Sequence, residues 1–577
     1  MKSILKYNLN KKDFIQDLLQ QKQIQNIDLF LHPYNICEED VYHLDNISLG
    51  LQELHFWLQK QTKLNIIVDD DADGFLSCAL IYFFLQNINY PQDKFHFIFH
   101  SHKFHGIDIN ELDKDCEYII APDCGTSDYE QHKQLYYNKN IHILILDHHE
   151  ALSGYSQEPS VITINNQLST LYNNKYLCGT GVTFKFLKEY CNKYEPQINM
   201  DQYLDLVAIA IVGDVMNLST LENRYYVSEG LENIQNPFFK SLVEKRAFSI
   251  GSNVPTPTDV AFYIIPAINA IVRMGTKEEK EHLFQAIVNG DIIVPSTKRG
   301  HKPDDTEILK EQAIRLCDNA IARQKRERTK IAELLGNRIY SEGYEQDKII
   351  IGKYYDKDNI NSNLTGLAAM ELATAFQRPA LVVHYNEETK EWSGSARNFG
   401  SAIYDLKEFL SESHLLTLAA GHAGAFGISF FDNDLNALRE YFNNKLQNIN
   451  YTEDNVYEVD LETTADDPWL IPIISQIDKY KGIWGKGIEE PLLYIKNIPL
   501  YHKDIVTMGT NGDSFKFIKN GIAFVKFKDL EFYDNLMNSE EPIYLNIIAK
   551  ANMNNWQGHS TPQLFIQDYN IESIYDF

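Results

Sequence analysis

Three short apolar runs that end in acidic or imidazole-bearing residues limit the fold of this chain more than any other feature. Leu64-Asn-Ile-Ile-Val68 runs into Asp69-Asp70-Asp71-Ala72-Asp73-Gly74, Tyr118-Ile-Ile-Ala121 leads to Asp123-Cys-Gly-Thr-Ser127, and Ile141-His-Ile-Leu-Ile-Leu146 meets Asp147-His148-His149. Short apolar runs separated by helical stretches, such as Leu76–Leu85, indicate buried parallel strands of an α/β sheet. In open parallel sheets ligands gather outside the carboxyl ends of the strands. The three clusters are therefore expected to converge on one crevice. A fourth, Asp214, follows Leu206-Val-Ala-Ile-Ala-Ile-Val212 and is expected to close it.

The chemistry follows from the residue types. Carboxylates at 69, 71 and 73 repel one another, so a cation is their natural partner. An EF-hand loop also opens DxDxDG, but it needs Glu at its twelfth position. Here that position is Leu80, and a strand precedes the motif. Taken singly, an Asp-Gly pair is usually a turn and a His-His pair usually surface; four clusters in one topological place are harder to dismiss. Carboxylate and imidazole donors together suit Mn²⁺ or Mg²⁺. Five carboxylates and one His could hold two such ions about 3.5–4 Å apart, with one carboxylate bridging. A pair of that kind activates water and stabilises the attacking and leaving oxygens at phosphorus, so a metal-dependent phosphoesterase is expected.

A chain of 577 residues should divide into about three or four domains. Residues 1–60 read as a mostly helical segment, with Leu51 and Trp57 on an apolar face. Residues 61–300 form the α/β part, helix-rich over 178–290. After a polar loop, 296–305, a long helix connects over 301–346. A second α/β segment spans 347–446. Residues 447–577 alternate short strands with turns such as Asn511-Gly512, which fits a small β-barrel or sandwich. Seven scattered cysteines without a CxxC pair argue against a disulfide framework and a zinc site, and fit a reducing cytoplasm. No apolar run approaches the roughly 20 residues of a membrane span, and the N-terminus lacks the apolar core of a signal peptide. The net charge of −27 is unusual for a nucleic-acid binder. Local cations exist, however. Arg323-Gln-Lys-Arg-Glu-Arg-Thr-Lys330 places five on the long helix, and Lys298, Arg299 and Lys302 precede it. Such a run is usually a solvated face; on a helix joining two α/β lobes it becomes a candidate DNA contact, because a groove focuses the field.

The motif order DxDxDG, Asp-x-Gly, DHH and a later Asp resembles the DHH phosphoesterases. By that resemblance Asp71 and Asp73 are metal ligands with Asp69 beside them. Asp123 is the bridging carboxylate, His148 the metal-binding imidazole, and Asp214 completes the second site. His149 contacts the scissile phosphate, and Asp147 orients the His pair. Leu177–Leu187, Tyr203–Met216 with Glu222-Asn-Arg224, and Pro266–Gly275 narrow the likeness to the RecJ-like branch. It implies that Asn269 and Arg273 face DNA phosphate, although Ala267 stands where the family usually has Arg, and Ile271-Val272 replaces Ala-Gly. Gly394-Ser-Ala-Arg397 and Ala420-Gly-His-Ala-Gly-Ala-Phe-Gly427 resemble the DHH-associated domain, with Ala420 in place of the usual Gly. Ser395, Arg397, Gly421, His422 and Gly424 are then expected at substrate phosphates, where small residues let backbone N–H groups cradle an anion; a tight helix–strand turn is the bland alternative. Ile483–Pro491 resembles the entry to an OB-type domain, for which Trp484, Tyr494, Phe515, Phe517 and Trp556 are candidate stacking residues.

The expected fold is thus α/β: a DHH lobe with a parallel sheet, a long connecting helix, a second α/β lobe and a C-terminal OB-like β domain. The implied activity is 5′-to-3′ hydrolysis of single-stranded DNA to 5′-mononucleotides by a monomer with two divalent cations. A single-strand-binding protein or a helicase is the implied protein partner. Two rivals stand beside it: a DHH phosphodiesterase of short oligonucleotides or cyclic dinucleotides, and a non-catalytic DHH scaffold in a replication complex.

Overall fold

The computed structural model describes residues 2–101, 104–151, 153–400, 402–449, 451, 456–509, 512–556 and 559–572. It contains two compact units. The first comprises Ile15–Ile321 and Lys479–Glu490; the second comprises Met1–Phe14, Ala322–Asp478 and Pro491–Phe577. The N-terminal residues are not helical throughout, because the opening strand β1 (Lys2–Leu5) belongs to the second unit.

The first unit is organised by a parallel sheet of β2 (Leu64–Val68), β3 (Phe95–Phe99), β4 (Tyr118–Pro122), β5 (His142–Asp147) and β6 (Val161–Asn165), in the spatial order β3-β2-β4-β5-β6. Every residue of β2 is buried, as in a parallel strand covered on both faces. Two of these strands were not among the apolar runs read from the sequence. β3 interrupts its aromatics with His96, and β6 carries Thr163 and Asn165. The chain leaves β2 for one neighbour and returns to β4 on the other side. That switch point is where ligands bind in open α/β sheets, and Asp69 and Asp123 follow the two strands that meet there.

Helix Ala72–Asn87 starts directly after β2 and is buried almost all round, packed on helices Gly179–Tyr194 and Leu204–Gly213. Leu51 and Trp57 are fully buried in helix Ile47–Gln59. A buried polar network ties helix Gly179–Tyr194 to helix Leu221–Glu232. The Glu222 carboxylate accepts from Lys185 Nζ at 2.5 Å, Tyr172 Oη at 2.6 Å and Asn174 Nδ2 at 2.9 Å. A second buried pair fixes the rim of the sheet. Asp70 meets Lys280 Nζ at 2.6 Å and accepts the Phe104 backbone N–H at 3.1 Å. A short hairpin of β7 (Ile293–Pro295) and β8 (Thr306–Ile308) holds the exposed loop with Lys298, Arg299 and Lys302, and leads into helix Leu309–Glu342.

In the second unit, β9 (Ile350–Tyr354), β10 (Ala380–Asn386), β11 (Glu391–Arg397), β12 (Leu416–His422) and β13 (Ala425–Phe431) form a mixed sheet, β12-β13-β11-β10-β9. Only β9 and β10 run parallel, joined through helix Thr365–Phe376. Trp392, Phe426, Phe430, Leu438 and Phe442 are buried in its core. β1 pairs in parallel with β14 (Val456–Val459). The C-terminal sheet takes β15 (Leu461–Thr464), β16 (Leu493–Leu500), β17 (Val506–Met508), β18 (Ser514–Lys519), β19 (Ile522–Lys526), β20 (Ile543–Trp556) and β21 (His559–Glu572), in the order β15-β16-β20-β21-β19-β18-β17. Of the turn read at Asn511-Gly512, Asn511 lies outside the described residues, and Gly512 has φ +63°. Among the described residues no helix is long and apolar enough to cross a membrane.

The Asp70–Lys280 pair is almost wholly out of water, with side-chain exposures of 1% and 5%. Removing one partner leaves an uncompensated buried charge. Lys280→Ala should therefore cost about 3–5 kcal/mol, read from the denaturant midpoint of the first unit. A loss below about 1 kcal/mol would mean that water reaches the pair.

Candidate metal centre

Each carboxylate is placed by an element that the sequence dictates locally. Asp71 caps helix Ala72–Asn87, accepting the Gly74 N–H at 2.9 Å, and Asp73 lies in the same first turn. Asp73 is also held from the N-terminus of helix Gly179–Tyr194, by Gly179 N–H at 2.7 Å and Thr180 N–H at 2.8 Å. A helix N-terminus favours negative charge, so this helix fixes a carboxylate rather than an incoming anion. Asp123 follows β4 in a left-handed conformation (φ +63°), with its N–H donating to Leu146 O at 2.8 Å. Asp214 caps the carboxyl end of helix Leu204–Gly213.

These residues converge. His148 Nε2 lies 3.2 Å from Asp123 Oδ1, 3.4 Å from Asp214 Oδ2 and 3.8 Å from Asp73 Oδ2. Ligand atoms of Asp69, Asp71 and Asp123 all lie within 4.8 Å of one another, and so do those of Asp73, His148 and Asp214. Asp123, His148 and His149 make a third such group. The structure thus brings together all eight residues that the sequence placed at the metal centre: Asp69, Asp71, Asp73, Asp123, Asp147, His148, His149 and Asp214.

The electrostatics divide them into two kinds. Some oxygens are satisfied by protein donors. Asp147 accepts the Thr126, His148 and His149 N–H groups at 3.0, 2.7 and 3.2 Å, and His149 Nδ1 at 2.8 Å. Burial opposes ionisation of Asp147, but the His149 bond and the two imidazoles outweigh it and hold the carboxyl well below the usual range. Burial likewise opposes a charge on His149. The Asp147 bond and the carboxylates at 69 and 71 overcome it and raise the imidazolium to about 10. At His148 burial outweighs the carboxylates of Asp73, Asp147 and Asp71 and lowers the pKa, leaving a neutral imidazole.

Other oxygens are bare. Both oxygens of Asp123, and Asp214 Oδ2, are buried without a hydrogen bond. Burial, reinforced by Asp73, Asp71, Asp69 and Asp214, pushes the Asp123 carboxyl far up. Burial with Asp73 and Asp71 raises Asp214 to about 8. A buried carboxylate without a donor is costly, and a cation is the partner that fits this donor set. Two groups sharing the vicinity of Asp123 fit two cations better than one.

Sequence reasoning missed several contributors. His105 Nδ1 lies 2.7 Å from Asp69 Oδ2, and Gly106 N–H donates to Asp69 Oδ1 at 3.1 Å. They follow β3, at the same carboxyl edge as the other clusters, so recognising β3 would have exposed them. Gly179 is demanded by space, since a Cβ there would overlap Asp123.

The remaining candidates are dispersed. Asn269 and Arg273 lie one turn apart on helix Ile265–Met274, both half-buried. Burial lowers the pKa of Arg273, with the charge of Asp71 opposing, which sets the guanidinium near the cluster. In the second unit, Arg397 ends β11 against Gly366, and Ser395 Oγ lies 3.0 Å from Thr365 Oγ1. Gly421, His422 and Gly424 form the tip of the β12–β13 hairpin, where His422 pairs with Ala425. The turn here, for which a helix–strand turn is the alternative reading, joins two strands. It lies beside Arg397, since Arg397 also pairs with Ala425. Of the cations on the long helix, Lys325 and Arg326 are exposed, whereas Arg328 pairs with Glu371 at 2.6 Å and Lys330 with Glu327 at 2.9 Å. Three stacking candidates are overturned: Trp484, Phe515 and Phe517 are buried at 3%, 1% and 1% exposure and fill the interior. Tyr494 is half-buried, and the Trp556 side chain lies outside the described residues.

Comparison with known proteins came to one family. The model described as "DHH family, N-terminal domain" matches residues 63–211, and "RecJ OB domain" matches residues 459–568. A putative SPbeta prophage-derived single-strand DNA-specific exonuclease, YorK, of Bacillus subtilis is 32% identical over 97% of this chain and 96% of its own length. The single-stranded-DNA-specific exonuclease RecJ of the same organism is 25% identical over 94% of this chain and 65% of its own. The crystal structure of RecJ in complex with Mn²⁺ from Thermus thermophilus shares the fold, with a TM-score of 0.71 over 96% of this chain and 75% of that one at 19% identity.

Two outcomes follow from the geometry. Without a cation both carboxyls, Asp214 and Asp123, are pushed toward the protonated form, Asp214 up to about 8, because both pKa values are raised. Cation binding must displace those protons, so affinity should rise with pH up to about 8, the value held by Asp214. Calorimetry in two buffers of different ionisation enthalpy should register proton release near pH 7; zero release would show both carboxylates already ionised. Gly179→Ala should displace Asp123 and weaken Mn²⁺ binding by about 10–100-fold, the usual range for residues behind a ligand. Unaltered Mn²⁺ affinity would show that the loop yields to the added methyl.

Proposed function

The chain belongs to the RecJ-like exonucleases of the DHH family, and on that premise we propose that it hydrolyses single-stranded DNA from the 5′ end, releasing 5′-mononucleotides in DNA repair, recombination or replication. The observation that carries the reading is Asp123, buried with both oxygens bare among four further carboxylates and a neutral imidazole. A non-catalytic scaffold has no use for an intact set of this kind. A phosphodiesterase of dinucleotides needs neither the Arg273 helix nor a seven-stranded C-terminal domain.

In this mechanism Asp69, Asp71, Asp73, Asp123, His148 and Asp214 would hold two divalent cations, Mn²⁺ or Mg²⁺. When bound, these supply positive charge at the phosphate and acidify a water. The chain's own groups do the rest. Asp147 fixes the His149 ring through Nδ1, which leaves Nε2 to donate to a phosphate oxygen. The raised pKa keeps that proton in place through neutral pH. Burial keeps His148 neutral, with a lone pair available at Nε2. Arg273, with Asn269 one turn before it, holds the scissile or adjacent phosphate, and orientation of this kind lowers the entropic barrier to attack. Ser395, Arg397 and the tip at Gly421, His422 and Gly424 bind a further phosphate. Lys325 and Arg326 attract the strand. The single-strand-binding protein or helicase expected as partner, and a cytoplasmic monomer, belong to this same reading.

The deciding experiment uses strands labelled at either end, incubated with Mn²⁺ or Mg²⁺, with Asp123→Ala as the inactive control. A 5′ label should appear as mononucleotide at the earliest times, while a 3′ label passes through progressively shorter strands. Mononucleotide released first from the 3′ label would reverse the polarity, and activity retained by Asp123→Ala would remove the two-cation centre.

A further inference from the structure

The segment Lys479–Glu490 lies in sequence between helix Leu470–Lys479 and β16 of the C-terminal sheet, yet it packs in the first unit. Its place there is the turn that carries Asp214. Leu218 N–H donates to Lys486 O at 2.8 Å. Gly485 and Ile488 exchange two backbone hydrogen bonds of 3.1 Å, closing a small loop. Both glycines of that loop lie close against the turn. A Cβ at Gly485 would press on Leu218, and one at Gly487, which has φ +80°, would overlap the Asn217 side chain. Ile483, Trp484, Ile488 and Leu218 are buried around the contact.

The first half of the turn is held by its own helix, where the Asp214, Val215 and Met216 N–H groups donate to Ala210, Val212 and Ile211 O at 2.9, 3.2 and 3.0 Å, which leaves Asn217 and Leu218 to neighbouring segments. After Asp214 the chain passes through Val215 in a left-handed conformation (φ +56°), and that side chain is 63% exposed. Asn217 O accepts from Asn223 Nδ2 at 2.9 Å on one side, and Lys486 O takes the Leu218 N–H on the other. The Asp214 side chain is held weakly: its buried Oδ2 accepts no hydrogen bond and has His148 Nε2 3.4 Å away. The backbone of the turn therefore sets the direction in which the carboxyl reaches His148.

We infer that Gly485, Lys486 and Gly487 are positioning residues, a clip that holds the Asp214–Leu218 turn so that Asp214 reaches the cation beside Asp73 and His148. The inference rests on the proposed reading of Asp214 as a ligand. Glycine is needed at 487 for space as well as for conformation. Asn tolerates the left-handed region, so Gly487→Asn tests the space alone.

The full-length chain is titrated with Mn²⁺, followed by calorimetry and by the electron paramagnetic resonance of the bound ions. The melting temperature of the metal-free protein serves as the control for folding. The unmodified chain should take up two Mn²⁺ with a spin-coupled signal. Gly487→Asn should keep one, lose the coupled signal and bind the second at least about tenfold more weakly, with the metal-free melting temperature little changed. Adding Asn217→Ala removes the overlapped atoms and should restore the coupled signal. Should Gly487→Asn fail to fold, Gly485→Ala read against Gly485→Ala/Leu218→Ala makes the same comparison. Asp214→Asn separates the two levels of the argument. Loss of the second Mn²⁺ in Asp214→Asn but not in Gly487→Asn overturns the clip and leaves the ligand assignment standing. Two coupled Mn²⁺ in Asp214→Asn overturns both. A loss in the double variant equal to that in Gly487→Asn also overturns the clip.

Discussion

Mutual repulsion among five carboxylates in one crevice is the constraint to which the rest of the first unit answers. The protein relieves part of it with its own donors. His105 and Gly106 hold Asp69, Gly74 holds Asp71, and the first turn of helix Gly179–Tyr194 holds Asp73. It leaves Asp123 and the inner oxygen of Asp214 without any. Burying an unpaired charge is among the most expensive things a fold can do. A structure that leaves carboxyl oxygens without a donor at two positions, while crowding glycine against one of them, is organised around cations.

The same constraint explains how the histidine pair differs. Both imidazoles follow β5, yet one is kept neutral and the other protonated. His148 points at Asp123 and Asp214 from a buried position, whereas His149 takes the Asp147 carboxylate through Nδ1. Neighbouring residues of one type thus serve opposite needs, a donor of a lone pair and a donor of a proton. An acidic chain can handle a polyanion on similar terms. Part of its negative charge is the ligand set, and cations neutralise that set when bound. Arg273 feels the charge of Asp71 in that set, while Lys325 and Arg326 are exposed on the long helix.

Much of the candidate site was legible before any coordinates. Strand, then carboxylate, then helix is a local pattern, readable because a buried parallel strand must be continuously apolar and must end where polar groups can reach the crevice. Asp69, Asp71, Asp73, Asp123, Asp147, His148 and His149 lie within a few residues of such runs. Asp214 was legible for a different local reason, as the first acidic residue after an apolar helix.

What the residues alone determined, then, is which side chains carry chemistry and at which end of each element they stand, because hydrophobic periodicity and chain direction are properties of a segment by itself. The tertiary structure decided which segments meet. β3 goes to the far side of β2, which brings His105 to Asp69. Lys280 comes from 210 positions away to neutralise Asp70. Gly485 and Gly487 clip the Asp214 turn from the far end of the sequence. Phe515, Phe517 and Trp484 turn inward rather than toward a strand of DNA. None of this could be read along the chain, because burial and contact depend on the order in which strands and helices pack, and that order minimises the free energy of the whole fold rather than of any one segment.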